Sequence, residues 1–338
     1  MLKIEGVDAL ANRKANPRRN WNSTPSSSIR SANKGDASVR IFEGYADIRA
    51  DYFGPRLAMA DPVFAMGSCF AREIEDALIH LGGRVVSLDA SIERPEFQDG
   101  HGQFRSGFFH RYTPPSMLQE FQQAFGELPG WTEESLVFWS HKHKAADFNY
   151  ATVPGADPSL NAVITRRRVA AELVRQAAAA KVIILTLGLI ESWLHKPSGF
   201  YANAPSAQAL AQKPQEFEMR LVDAQDTVEC LEGIHDLLTR RHATGDFRMV
   251  VTVSPVPMAA TFTPKDIIVA NAESKAVLRA AAGAFTGRHE NVDYFPSYEM
   301  VTLSAPELAW RPDRLHVNGR MVRRIVRSFM KAYYDPEA

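Results

Sequence analysis

The sequence predicts an α/β protein in which about five parallel strands form a doubly wound sheet. Short apolar runs alternate along the chain with longer segments whose apolar residues recur at helical spacing. The predicted strands are residues 63–66, 84–88, 182–187, 249–253 and 292–295. The run at 182–187 is almost entirely apolar, which is typical of a central parallel strand covered on both faces. Strands and helices that alternate in this way join through right-handed crossovers, so helices are expected on both faces.

Helices are predicted between and after these strands. Phe70, Ile74 and Leu78 recur on one face directly after the first strand, which predicts a helix that begins at Ser68 or Cys69. The further predicted helices are residues 116–125, a helix from 166, and residues 224–241, 268–285 and 318–334. Each has an apolar stripe that can cover a sheet and a polar face for solvent.

The chain divides into an arm and a domain. Residues 1–40 are rich in polar and basic residues and have little to bury, so we expect a flexible basic N-terminal arm. Residues 41–338 are predicted to form one α/β domain. Inside this domain, residues 89–161 form a long aromatic segment after the second strand. A segment of this size is expected to be a cap-like insertion that shapes a substrate site.

Composition and charge exclude several classes of function. Lys plus Arg and Asp plus Glu both total 39, so the formal net charge is zero and a nucleic-acid partner is not expected. No membrane span and no secretory segment are recognised, which predicts a cytoplasmic location. Cys69 and Cys230 are expected to stay as free thiols. His141 and His143 lack further ligands, so no metal site is predicted. The sequence does not specify an oligomeric state.

Two groups of reactive residues lie where predicted strands end. Gly67-Ser68-Cys69 follows the first strand, and Asp313 and His316 precede the last helix. Ligands of doubly wound sheets bind beyond the carboxyl ends of the strands. There the helix N-terminus can stabilise a thiolate or an oxyanion and is expected to lower the pKa of the thiol. A carboxylate three residues before a histidine can orient it as a general base.

These reactive residues also have structural interpretations. A cysteine at this position can pack as a small apolar side chain, with Ser68 as the helix cap. An Asp-x-x-His pair is also common as a surface ion pair. The catalytic and the structural interpretation make different predictions. Only the catalytic interpretation requires Cys69 and His316 to meet at the same edge of the sheet.

The sequence Gly67-Ser68-Cys69-Phe70-Ala71 resembles the motif after which the GSCFA family is named. Further family segments follow in order: Tyr112-Thr113, Thr186-Leu187-Gly188 through Glu191, Ser254-Pro255-Val256-Pro257, Ser274-Lys275, and Asp313 with His316. That family resembles the SGNH/GDSL hydrolases. The resemblance implies a flavodoxin-like three-layer fold and an acyl-ester active site, as in esterases and glycan O-acyltransferases.

The resemblance also assigns the nucleophile. In the related hydrolases the nucleophilic serine is the second residue after the turn glycine, and the residue at that position here is Cys69. Ser68 then occupies the place of the preceding aspartate and is the alternative nucleophile. His316 is the implied base and Asp313 the group that orients it.

The remaining site positions are implied less directly. The hydrolases complete the oxyanion hole with a glycine N–H and the asparagine side chain of a Gly-x-Asn segment, but here Gly188 is followed by Leu189, Ile190 and Glu191, so no amide lies at the expected place. A carboxylate at this position can accept a hydrogen bond from a substrate hydroxyl. His110, before Tyr112, is a candidate for the missing donor. Gly67, His110, Tyr112, Gly188 and Glu191 are therefore the predicted oxyanion and substrate-binding residues.

The sequence thus favours an enzyme of acyl-ester chemistry, an O-acyltransferase or an esterase, on a glycan or a small sugar-containing substrate. No bound cofactor is predicted, and acetyl-CoA is the expected acyl donor for transfer. The alternative is a non-catalytic module that keeps the fold and binds glycan or protein.

Overall fold

The computed structural model describes residues 4–22, 35–48, 54, 56–88, 110–139, 145–150, 159–203, 205 and 210–334. The described strands are β1 (Pro62–Gly67), β2 (Arg84–Val85), β3 (Val137–Trp139), β4 (Ala145–Asp147), β5 (Val182–Leu187), β6 (Glu191–His195), β7 (Phe200–Ala202), β8 (Phe217–Leu221), β9 (Arg248–Val253) and β10 (Val292–Tyr294). The described α-helices are α1 (Gly6–Ala15), α2 (Ala37–Phe42), α3 (Cys69–His80), α4 (Pro114–Ala124), α5 (Leu160–Arg175), α6 (Ala224–Arg241), α7 (Ile267–Thr286), α8 (Ser297–Thr302), α9 (Pro306–Ala309) and α10 (Gly319–Tyr333).

Five parallel strands form the central sheet in the order β10-β9-β5-β1-β2. Counted along the chain, this is the 2-1-3-4-5 order of flavodoxin-like folds, in which the strand order reverses between β1 and β5. Gly67 pairs with Thr186, and Thr186 pairs with Thr252 on the next strand. The three middle strands therefore end at the same level. The predicted fold class is confirmed.

The two faces of the sheet bury different helices because alternate strand residues point to opposite sides. Phe64 and Met66 of β1 join a core with α4, α5, α6 and α7. Val63 and Ala65 join a second core, where α3 and α10 supply most of the helical side chains. The result is a three-layer α/β/α sandwich with the sheet in the middle.

Local sequence signals account for where the helices begin. Asp223 and Asp226 each accept the backbone N–H of the other, a reciprocal cap that starts α6 at the predicted residue. Asn318 accepts the N–H of Arg320 and starts α10. β5 also has its predicted bounds. The helix predicted from residue 166 begins earlier, at Leu160, after the cap Ser159.

Short strands outside the central sheet were not predicted. β7, β6 and β8 form a three-stranded antiparallel sheet, and β3 pairs with β4. Phe148, Phe200 and Phe217 pack together and join these two units. Part of the predicted insertion therefore builds this small subdomain, while α4 belongs to the core of the main sheet. Residues 89–109, 140–144 and 151–158 of the insertion, with His141 and His143, lie outside the described residues.

The described part of the predicted N-terminal arm contains α1 and the first residues of α2. None of the residues of α1 is buried. α2 lies closer to the domain and buries Val39, and Ala46 just beyond it donates its N–H to Ser304 Oγ (2.9 Å). The flexibility of residues 1–40 stays a prediction. Within the described part of the chain, no helix combines the length and apolar character needed to cross a bilayer.

A buried polar network fixes the start of α3 against β1. β2 pairs only with Pro62 and Val63 of β1, so the backbone N–H and carbonyl of Ala65 need other hydrogen-bond partners on that side. Ser87 Oγ accepts the N–H of Ala65 (3.1 Å), and Arg72 donates to the carbonyl of Ala65 (2.8 Å). Glu75 accepts from Ser87 and pairs with Arg72. Next to the turn that precedes Cys69, side chains thus make the hydrogen bonds that a longer β2 would otherwise make.

Candidate active site

A cavity of about 390 Å³ opens at the carboxyl ends of β1, β5 and β9. Its lining includes six of the residues predicted for the site: Ser68, Cys69, Tyr112, Gly188, Glu191 and His316. The structure thus brings Cys69 and His316, which are far apart in the chain, to one cavity. This edge is the switch point of the sheet, where doubly wound folds bind their ligands.

The turn before Cys69 requires glycine. Gly67 has φ +153°, and a Cβ there would lie 2.5 Å from the carbonyl oxygen of Thr186. Its own carbonyl accepts the N–H of Arg111 (2.7 Å). Gly67 therefore allows β1 to pack tightly on both neighbours and to turn directly into α3. Cys69 becomes the first residue of that helix.

Ser68 joins two strand ends. Its hydroxyl donates to Ser254 Oγ (2.9 Å), and both side chains are buried. Ser254 in turn donates its N–H to the carbonyl of Leu187 at the end of β5. Ser68 precedes the helix as predicted, but its side chain makes no capping hydrogen bond. It holds the turn against β9.

The thiol of Cys69 differs from the expectation. Burial raises its pKa, and the carboxylate of Glu73 acts in the same direction. The backbone N–H of Phe70 and the ammonium of Lys275 oppose this shift without cancelling it. The N–H groups at the helix start lower this pKa as predicted, but desolvation outweighs them, so the pKa of the thiol is raised overall. The raised pKa favours the protonated thiol, so nucleophilic attack by this group would require a base.

His316 and Asp313 form a connected pair at the rim of the cavity. His316 Nδ1 lies 2.7 Å from Asp313 Oδ2, while Asp313 Oδ1 accepts the N–H groups of Leu315 and His316 (both 3.0 Å). These bonds hold the pKa of Asp313 well below its usual range. An ionised carboxylate favours the proton on Nδ1, which leaves Nε2 as an acceptor. The His316 side chain is 47% exposed, so solvent reaches it.

Tyr112 and its neighbours form one wall. The Tyr112 hydroxyl lies 3.0 Å from His110 Nδ1, and burial lowers the pKa of His110 to about 4. His110 is thus neutral at physiological pH. Asn203, a residue that sequence reasoning missed, accepts the N–H of Tyr112 (3.1 Å) and donates to the carbonyl of His110 (2.7 Å). It lies on the cavity at the end of β7, in a sheet that the sequence pattern did not reveal.

Gly188 lies where the chain leaves β5. Its N–H and that of Leu189 both donate to the carbonyl of Tyr112 (3.2 and 2.8 Å). A Cβ at Gly188 would lie 2.7 Å from the same oxygen, so the close approach requires glycine. The Gly188 N–H therefore already has an acceptor, and its role in an oxyanion hole stays a prediction.

Lys275 is a second residue near the site that the sequence analysis did not assign a role. It lies in α7 and is 1% exposed, and its Nζ donates to the carbonyls of Gly188 (2.7 Å) and Val256 (2.8 Å). Burial lowers its pKa to about 7, although Cys69 opposes the shift. Lys275 joins the loops after β5 and β9. Its adjacency to Ser274 in a family segment was the available signal.

Glu191 anchors the loop that forms the apolar wall. One carboxylate oxygen accepts from the Thr261 hydroxyl and the other from the N–H of Phe262 (2.9 Å). Phe262 also packs edge-on against Trp193, with ring centroids 5.0 Å apart. Both rings line the cavity. The aromatic surface of the described cavity thus comes from Trp193, Phe262 and Tyr112.

Two comparisons with known proteins concern curated proteins and solved structures. No curated protein matches the chain. Among solved structures, one described as a candidate platelet activating factor from Streptococcus pneumonia is 10% identical, with 82% of this chain and 86% of that chain covered and a TM-score of 0.39. A carbohydrate esterase family 3 protein from Talaromyces cellulolyticus is also 10% identical, with 80% and 94% covered and a TM-score of 0.33.

The family comparison is more specific. The model of the GSCFA family matches residues 62–329, from the first residue of β1 into α10. The match contains the turn at Cys69, the Asp313–His316 pair and every strand of the central sheet. The membership indicated by the sequence motif is confirmed, and the chain belongs to the GSCFA family.

Proposed function

We propose that this protein catalyses acyl-ester chemistry, as an O-acyltransferase or esterase on a sugar-containing substrate. The observation that supports this most directly is the shared cavity of Cys69 and His316, with Asp313 bonded to the histidine. A nucleophile at a helix start, a base and an orienting carboxylate are the parts that acyl transfer through a covalent intermediate needs.

The proposed first step is proton transfer from Cys69 Sγ to His316 Nε2. A base is required because burial keeps the thiol protonated. The sulfur attacks the acyl carbonyl, the imidazolium gives its proton to the departing alcohol or thiol, and a thioester on Cys69 remains. A hydroxyl or water then attacks the thioester, with His316 as base again, and the free thiol returns. Asp313 stabilises the imidazolium in both halves of the reaction.

We assign the oxyanion site to donors from two elements. The N–H of Cys69 is one of the first backbone donors of α3, which have no acceptor inside the helix. Asn203 donates one Nδ2 hydrogen to His110, and its second hydrogen is the other proposed donor. In this arrangement Asn203 takes the role of the asparagine that is missing after Gly188. Glu191 holds the loop at Phe262, so we assign it to the shape of the cavity.

The preferred acceptor is a sugar hydroxyl. Trp193 and Phe262 give the cavity apolar rings that can contact the faces of a sugar and reduce access of water. Acetyl-CoA is the proposed acyl donor for this transfer. The cytoplasmic location stays a prediction from the sequence.

Thiol alkylation tests the nucleophile. Iodoacetamide labelling of the folded protein from pH 6 to 9, read by mass spectrometry, compares Cys69 with Cys230, whose pKa burial raises to about 12. We expect faster labelling of Cys69, and slower labelling of Cys69 in the His316→Ala variant. Labelling of Cys69 no faster than that of Cys230 would contradict the proposal and favour a non-catalytic binding module.

Turnover of p-nitrophenyl acetate and of acetyl-CoA tests the reaction. We expect Cys69→Ala to abolish both, and Ser68→Ala to retain most of the activity because Ser68 is bonded to Ser254. Abolition by Ser68→Ala with activity kept in Cys69→Ala would assign the serine as nucleophile. Acetyl-CoA loss that candidate sugars accelerate supports transfer, whereas loss that no sugar accelerates supports hydrolysis.

A further inference from the structure

A second concave site, the cationic groove, lies along the outer face of α10. It has a volume of about 820 Å³ and is lined by Arg18, Tyr45, Asp47, Ile48, Arg56, Arg320, Arg323, Arg324, Arg327, Ser328, Lys331 and Ala332. Seven of these side chains are basic and one is acidic. The formal net charge of the whole chain is zero, so this excess of basic residues is a local feature of the groove.

Local ion pairs leave much of this charge uncompensated. Arg324 pairs with Asp47, and Arg56 donates to the last carbonyls of α10. Arg320, Arg327 and Lys331 are exposed, and within the described ranges no carboxylate pairs with them. Like charges this close repel one another unless an anion lies between them. The groove therefore fits a ligand that carries several negative charges.

The spacing of the charges indicates an extended ligand. Arg320, Arg324, Arg327 and Lys331 follow one another at intervals of three or four residues, so they form a row on one side of the helix. At about 1.5 Å per residue the row is roughly 16 Å long. A row of guanidinium groups suits a chain with one anionic group per repeating unit better than it suits a single compact anion.

The end of the groove at Arg320 is close in the chain to a residue of the proposed active site. Arg320 is four residues after His316, which limits the distance between their Cα atoms to about 15 Å. The opposite face of α10 is buried in the core through Val322, Ile325 and Phe329. No apolar face of this helix is left to enter a lipid surface, which argues against a membrane as the ligand.

We propose that the cationic groove binds an acidic glycan chain, with carboxylate groups along its length, and that this chain is the acceptor whose hydroxyl reaches the cavity at Cys69. The choice of a glycan rests on the proposed function, whereas the polyanionic character follows from the groove itself. The groove orients the chain along α10, and the cavity selects the hydroxyl.

A direct measurement of glycan binding tests the proposed groove without any need for catalytic turnover. Oligogalacturonate is titrated into the full chain by calorimetry at two salt concentrations, with a neutral oligosaccharide of equal length as reference. We expect binding of the acidic chain only, and weakening as salt rises. Arg320→Gln/Arg327→Gln/Lys331→Gln should weaken it by about tenfold or more. The control is Arg240→Gln/Arg241→Gln on α6, an exposed pair that binds Glu127 and should leave affinity unchanged.

Further outcomes separate the two proposals. The far-UV circular dichroism spectrum of the triple variant should equal that of the parent, which shows that the variant folds. Equal binding of acidic and neutral chains, tighter binding of an oligonucleotide or phosphatidylserine vesicles, or unchanged affinity in the triple variant would overturn the glycan groove. Glycan binding by a protein that turns over no ester would overturn the proposed function and keep the groove as an anionic-glycan site.

Discussion

Replacement of Lys275 by Met tests whether a buried ammonium near the candidate site titrates near neutral pH. Met is unbranched, similar in length and uncharged, so it removes the titrating group with little change in packing. The two carbonyls at Gly188 and Val256 lose their donor, which is expected to cost about 1–3 kcal/mol each at any pH. Only the pH-dependent part of the effect reports on the lysine.

The sign of the pH-dependent effect follows from the pKa values of Lys275 in the unfolded and the folded state. In the unfolded chain Lys275 titrates near its ordinary 10.5, whereas in the folded protein burial lowers its pKa to about 7. Between these values the unfolded chain binds more protons, so the free energy of unfolding rises with pH. The slope is at most about 1.4 kcal/mol per pH unit, which gives a gain of about 2 kcal/mol from pH 7 to 9. A neutral amine keeps two N–H groups, enough for both carbonyls.

The assay is unfolding by guanidinium chloride at pH 7, 8 and 9. The difference in free energy of unfolding between the parent and Lys275→Met should grow over this range, while that for Lys265→Met, at an exposed lysine, should stay constant. The thiol of Cys69 contributes with the opposite sign from about pH 8 upward, because its pKa is raised in the folded state, but both proteins carry it and it largely cancels in their difference. A parent-to-Lys275→Met difference that is constant or shrinks from pH 7 to 9 would refute the buried-lysine argument.

Three further substitutions test the site geometry. Asp313→Asn should lower kcat for p-nitrophenyl acetate by about 100-fold, since His316 loses the carboxylate that fixes its tautomer, and an unchanged kcat would contradict the pair. Gly67→Ala should lower the free energy of unfolding by at least about 2 kcal/mol, against about 1 kcal/mol for Gly199→Ala, which has positive φ but open space. Glu191→Ala should raise KM more than it lowers kcat and speed proteolysis of the loop at 256–263, and equal proteolysis would argue against the anchor.

The central fold was predictable because its signals are local. An apolar run such as residues 182–187 cannot be solvated and must be covered on both faces, and the cap at Asp223 sets a helix start within four residues. β6, β7 and β8 were missed because each strand is only three to five residues long, and β8 pairs with β6 from well beyond it in the sequence. Glu191 and His195 alternate with buried residues on β6, but five residues carry too weak a pattern to predict a strand.

The candidate site was predictable in its motif residues and less so in its supporting ones. Cys69 stood out because it follows a strand end, and His316 because Asp313 lies three residues before it. Asn203 and Lys275 act through backbone carbonyls and N–H groups of loops, and such contacts leave no pattern in the sequence. The pKa of Cys69 was misjudged because the helix N-terminus is visible in a sequence, whereas the degree of burial is not.

The strand that leads to Cys69, β1, has the hydrogen-bonding groups of its outer edge satisfied in three different ways. Val63 pairs with β2, Ala65 is bonded by Ser87 and Arg72, and Gly67 accepts the N–H of Arg111. An edge whose hydrogen-bonding groups are satisfied in this way cannot template the addition of a foreign strand. The edge strand β2 has only two residues and leaves most of β1 uncovered. The other contacts nevertheless prevent a second copy of the chain from pairing with β1.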